Sequence, residues 1–119
     1  MTKINEKLSL YVFLVLMFCN VGFAEELYCK VEKAFRCDAK GCKEFKSQIF
    51  INLDTDRKIY QRGDSKGMDT YDMNFFQAGI FRIAETARGG AILKLDPENN
   101  FLEIVHSSII AINNFGKCK

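Results

Sequence analysis

The sequence predicts an all-β protein: a small antiparallel meander of about eight strands, closed as a barrel or folded as a sandwich and stabilised by disulfides. Three observations carry that expectation. After residue 24, apolar and polar residues alternate mostly with period two, which sends successive side chains to opposite faces of a strand. Turn-forming clusters rich in Gly, Asp and Asn interrupt the alternation at short intervals. The cysteines beyond residue 24 form an even set, Cys29, Cys37, Cys42 and Cys118.

The compartment is read from the start of the chain. Met1 to Ala24 has the layout of a secretory signal, with Lys3 and Lys7 ahead of an apolar stretch from Leu8 to Phe18 and a small-residue exit at Gly22-Phe23-Ala24. A membrane-spanning helix needs about 20 apolar residues, and this stretch is shorter and broken by Ser9 and Tyr11. Cys19 follows Leu16-Met17-Phe18, where a lipidated cysteine needs small residues. The expected organisation is therefore a cleaved signal peptide at 1–24 and a single β domain at 25–119, periplasmic or extracellular, with no membrane attachment after cleavage.

Removal of 24 residues from 119 leaves 95, enough for one domain and too few for two. A chain of that size buries only about 60–65% of its unfolded surface, so covalent staples help it. Taking Lys3, Lys7 and Glu6 from the 17 basic and 15 acidic residues leaves 15 and 14. A net charge near +1 gives no case for a nucleic-acid partner. The basic run Lys30, Lys33, Arg36, Lys40, Lys43 and Lys46 is interspersed with Glu32, Asp38 and Glu44, as on a solvated face.

The elements follow in order. Leu27, Cys29 and Val31 alternate with Tyr28, Lys30 and Glu32, predicting a first strand; Glu32 to Phe45 is the best place for a turn or two of helix. Phe45, Ser47, Ile49, Ile51 and Leu53 form the next alternation, with Phe50 out of phase. Asp54-Thr55-Asp56 turns the chain into a strand around Lys58 to Gln61. Beyond a polar loop from Gly63 to Gly67, Tyr71, Met73 and Phe75 alternate with Thr70, Asp72 and Asn74. Ile80 to Ala84 and Ala91 to Leu95 are further strands separated by Gly89-Gly90. Asp96-Pro97-Glu98-Asn99-Asn100 is a strong turn, because proline presets φ and the Asp and Asn side chains bind turn backbone. Phe101 to His106 and Ile109 to Asn114 complete the set.

In an oxidising compartment four cysteines predict two disulfides. Three connectivities are open to them; the one set by Cys37 and Cys42 flanking the turn-like Asp38-Ala39-Lys40-Gly41 leaves Cys29 and Cys118 to join the two ends of the domain, across the seam if the meander closes. Zinc is the alternative for these thiols. The spacing Cys-x7-Cys-x4-Cys lacks the short pair that presents two thiolates to one ion, and no C-x-x-C redox pair is present.

The search for chemistry is negative: no G-x-S-x-G, H-E-x-x-H, phosphate-cradling glycine loop or G-x-G-x-x-G occurs. No catalytic residue, metal ligand or cofactor site is expected. The single histidine, His106, shares an alternation with Leu102, Ile104, Ser108 and Ile110; it reads as a hydrogen-bonded core histidine or, with Ser108, as a polar group in a small ligand pocket. Asp54 and Asp56 resemble the opening of a calcium loop, but Lys58 and Ile59 follow where a ligand and a glycine are needed. Arg62-Gly63-Asp64-Ser65 spells an adhesion tetrapeptide made of ordinary turn residues. Core packing is expected to absorb most of the aromatics, among them Tyr28, Tyr60, Tyr71, Phe50, Phe75, Phe76, Phe81 and Phe101.

The Tyr28-Cys29 start and the Gly116-Lys117-Cys118-Lys119 end, around a small exported β domain, resemble the layout of bacterial periplasmic inhibitors of c-type lysozyme. That resemblance implies an eight-stranded barrel and, as one reading, inhibition of a secreted hydrolase. The family's inhibitory Ser-Gly-x-x-Tyr and Lys-Gly segments are absent, their nearest counterparts being Ala78-Gly79-Ile80-Phe81 and Arg88-Gly89-Gly90. The expected function is non-catalytic binding of an unidentified protein partner through surface loops, with a small-ligand barrel having its pocket near His106 as the alternative.

Overall fold

A computed structural model describes residues 25–86, 88 and 90–119; the signal segment read at 1–24 lies outside them. Nine strands form one antiparallel sheet: β1 Glu26–Asp38, β2 Gly41–Phe45, β3 Phe50–Asp54, β4 Ile59–Asp64, β5 Gly67–Ala78, β6 Phe81–Thr86, β7 Ala91–Leu95, β8 Asn100–Ser107 and β9 Ile110–Cys118. From β3 to β9 each strand pairs with the next, β1 pairs with both β2 and β3, and β9 returns to pair with β1, closing a barrel of eight staves. The eighth stave is shared. β1 is long enough for its first half to pair with β3 and its second half with β2 along the same edge.

Of the barrel and sandwich that the sequence pattern left open, the chain takes the barrel, which pairs its first strand with its last. The β1–β9 ladder runs from Cys29↔Cys118 to Cys37↔Ala111, with a bulge between Val31 and Lys33. The bulge explains why the alternation fades after Val31. It inserts one residue and flips the phase, so Leu27, Cys29 and Val31 point inward before it and Ala34 after it, while Glu32 and Lys33 are both exposed. Gly116 is needed on this seam. A Cβ there would lie 2.0 Å from the Lys30 carbonyl oxygen and 2.8 Å from the Phe101 ring.

Both disulfides pair as the spacing predicts, Cys29 with Cys118 and Cys37 with Cys42, each pair directly opposite across a ladder. The expected helical turns between Glu32 and Phe45 do not form. β1 runs on to Asp38 and turns through Ala39-Lys40 into β2, with the Asp38 carboxylate accepting from the Lys40 amide (2.8 Å), a hairpin the Cys37–Cys42 bridge then locks. The alternation expected from Phe45 to Leu53 is likewise broken. Residues 46–49 leave the ladder, and this is why Phe50 falls out of phase.

Side-chain oxygens set the turns. Asp54 accepts from the Asp56 and Arg57 amides (3.2 and 3.0 Å), which occupies the carboxylate that a calcium loop would use. Asp96 accepts from the amides of Glu98 and Asn100 and from the Asn100 side chain, all at 2.9 Å. Chiefly the Asn100 side-chain bond holds that carboxyl below the usual aspartate range. At this end of the barrel Arg82 bonds both Glu25 and Asn99, and Thr55 bonds the Glu25 backbone, tying β1, β6 and two turns together.

The core is small: Leu27, Ile51, Leu53, Tyr60, Leu93, Leu95 and Phe101 are buried with Ala34, Ala84 and Ala91. Fully burying each large aliphatic or aromatic side chain contributes about 1.5–3 kcal/mol.

Candidate functional site

β4, β8 and β9 bring four polar side chains into the barrel. Tyr60 and Arg62 lie on the inward face of β4, two residues apart; Glu103 is the inward residue at the centre of β8, paired in register with Asn114 of β9. Glu103 is fully buried. Its carboxylate accepts from the Tyr60 hydroxyl, from Arg62 Nε and Nη2 (both 3.2 Å) and from Asn114 Nδ2 (2.8 Å). Such an arrangement satisfies a buried charge, which is costly to bury unless paired and fully hydrogen-bonded. Burial, and then the negative charge of Glu103, push the Tyr60 phenol far above its ordinary 10.0, so it remains a neutral donor.

This network fills the middle of the barrel with side chains that bond one another. Every Glu103 oxygen is engaged, and Arg62, the member nearest the open end, spends its guanidinium on that carboxylate. The same bond removes the adhesion reading of Arg62-Gly63-Asp64-Ser65. Arg62 is turned inward to Glu103, and a Cβ at Gly63 would lie 2.1 Å from the Gly67 carbonyl oxygen. Among the described residues no group of three or more His, Cys, Asp or Glu is placed to hold a metal ion.

His106 is exposed, and so is Ser108, which sits with φ 57° in the β8–β9 turn. The expected core histidine or pocket is thus corrected: the inward face of β8 is Phe101, Glu103 and Val105, while Leu102, Ile104 and His106 form the outer face. The alternation was real but its sense was inverted. Hydropathy marked the wrong side because the strand carries its charge inward and its isoleucine outward.

That inversion extends across the wall. The registers place Phe76, Ile83, Lys94, Leu102 and Phe115 in one outer row across β5 to β9, and Glu85, Ile92, Ile104, Asn113 and Phe35 in the row beside it. Phe76, Ile92 and Phe115 are 43, 41 and 40% exposed. Phe35 meets Phe115 edge to face at 6.0 Å, and Lys94 lies over the Phe81 ring at 3.9 Å. At about 4.8 Å per strand this apolar band covers roughly 20–25 Å of the circumference. Phe76, expected in the core with Tyr28 and Phe50, is instead exposed, as they are.

The two segments set against the lysozyme-inhibitor loops lie at the β5–β6 and β6–β7 ends of the barrel. Ala78-Gly79-Ile80-Phe81 forms the tight β5–β6 turn, with Gly79 at φ 64° and Ile80 exposed at its tip. No family model, no curated protein and no solved structure matches this chain.

Proposed function

We propose that this protein is a non-catalytic binding module that docks another protein on the outer wall formed by β5 to β9, and that it works outside the cytoplasm as a periplasmic or secreted protein. The observation that carries this reading is the apolar band of Phe76, Ile83, Ile92, Leu102, Ile104 and Phe115 on a wall that a barrel exposes to water. A soluble surface that presents contiguous apolar side chains rimmed by charge is characteristic of an interaction site. Glu85, Lys94 and Asn113 supply the polar positions within and around it. The two disulfides support an oxidising compartment. The filled interior moves the expected ligand from a pocket to the wall, and from the loops to the strands.

Photo-crosslinking residues placed at Phe115 and, as a control, at Lys58 test this in the host that exports the protein. Crosslinking to a single protein from position 115 and none from 58, lost on Ile92→Glu with thermal unfolding unchanged, is the expected result. Equal capture from both positions, or capture indifferent to Ile92→Glu, overturns it. A doubled native mass that Ile92→Glu returns to monomer makes the partner a second copy, and inhibition of a c-type lysozyme lost with the same variant makes it a hydrolase.

A further inference from the structure

We infer that the cleft opened where β1 parts from β2 and β3 binds an extended, acidic peptide segment. β1 pairs with β3 as far as Lys30↔Phe50 and with β2 from Ala34↔Phe45 onward. Val31, Glu32 and Lys33 are therefore without a ladder partner on that edge, and residues 46–49 stand across from them, also outside the ladder. The opening is a cleft of about 590 Å³ flanked by Tyr28, Lys30, Phe50, Lys117 and Lys119, continuing into a second of about 380 Å³ toward Phe45 and Lys46. Ligand sites run from roughly 300 to 1,000 Å³. The two share Val31, Glu32, Ser47 and Gln48, so together they form a groove along β1, the shape of a chain rather than a compact molecule.

The charge of the groove selects its ligand. Lys30 and Lys117 are directly opposite each other across the β1–β9 ladder, an arrangement of like charges that weakens a sheet. Lys119 lies beside them, next to Tyr28. Lys33 is already paired with Glu44 at 3.9 Å, and Lys117 also acts on Asp96; Glu32 is the acidic residue of the larger cleft. Carboxylates laid between Lys30 and Lys117 would relieve their repulsion. Tyr28, 59% exposed, and Phe50, 37% exposed, are large apolar surfaces beside those cations with no core role; they would cover alternate side chains of the segment. The β1 edge at 31–33, without a ladder partner on this side, favours a peptide over other polyanions, because a peptide's own amide and carbonyl groups can complete an interrupted ladder; across from it the Ile49 amide is held by the Ser47 hydroxyl at 3.3 Å.

The probe is a labelled hexapeptide of alternating glutamate and valine, titrated into the full protein with both disulfides formed while backbone amide resonances are followed. Shifts confined to Tyr28–Lys33, Ser47–Phe50 and Lys117–Lys119, weakening as salt is raised, are expected. Lys30→Glu removes one cation and engages Lys117 as a cross-strand pair, so it weakens the hexapeptide about tenfold while leaving the barrel intact. Absence of shifts in the groove at millimolar peptide, an equal response to the lysine–valine counterpart, or unchanged binding in Lys30→Glu overturns the inference. Tighter binding of a sulfated hexasaccharide to the same residues assigns the groove to an anionic glycan and overturns it too. Ile92→Glu, on the opposed wall, leaves hexapeptide binding unchanged and separates this site from the docking band.

Discussion

Removing the Cys29–Cys118 bridge is expected to cost far more than removing Cys37–Cys42, and the two lengths of chain they enclose say how much more. The bridges span 89 and 5 residues. The loop-closure relation gives about 4.6 kcal/mol for the first and about 2.1 for the second, a difference of about 2.5 kcal/mol. The larger figure approaches the whole stability of a small domain, about 5 kcal/mol at the low end. The assay is urea unfolding of the paired variants Cys29→Ala/Cys118→Ala and Cys37→Ala/Cys42→Ala. With a slope of about 1–3 kcal/mol per molar, their midpoints should stand about 0.8–2.5 M apart, the variant lacking the hairpin bridge being the more stable. Equal midpoints, or a less stable hairpin variant, would refute the claim that the long bridge acts by closing the chain across the seam.

The buried network makes further expectations. Tyr60→Phe leaves Glu103 one donor short and should lower stability by about 1.5–3 kcal/mol in the same urea assay, whereas a loss below about 0.5 would show the bond to be dispensable. Because the folded Tyr60 pKa is raised above its unfolded 10.0, the stability it contributes is fully present below pH 10 and is lost as pH climbs beyond it, at up to about 1.4 kcal/mol per pH unit. Tyrosinate absorbance should therefore show Tyr60 ionising only as the barrel unfolds, and Tyr60→Phe should flatten the alkaline limb. Gly116→Ala drives a methyl into the Lys30 carbonyl, a contact backbone cannot evade, and should cost at least about 3 kcal/mol by thermal or urea unfolding, or prevent closure altogether.

The antiparallel meander was legible in the sequence because its evidence is local. Turn residues at Asp54 and Asp96 and alternation on β5 and β7 each identify a strand or a bend without reference to the rest of the chain, whereas the choice of barrel over sandwich rests on the long-range β1–β9 pairing, which no local pattern records. Two kinds of feature escaped. The bulge at Val31–Lys33 and the break at 46–49 are one-residue shifts in register, which alternation records only as noise; the out-of-phase Phe50 was the one visible trace. The polar interior escaped because hydropathy assumes that charge faces water. Glu103 is inward since Tyr60, Arg62 and Asn114 arrive from two other strands to receive it, and no window of sequence contains all four. The outer apolar wall was missed for the same reason, and His106 went with it to the wrong face.

Every ladder in the barrel except β1–β9 joins strands that are adjacent, or next but one, along the chain. Hairpins of that kind form from nearby residues within microseconds, whereas the seam must wait for two segments almost the full length of the domain apart. Zipping β1 to β9 is thus the slow, entropy-limited event, and oxidation of Cys29 with Cys118 turns it from a search repeated at every unfolding into one completed once. A barrel so closed reopens by breathing at its turns rather than by parting at its seam.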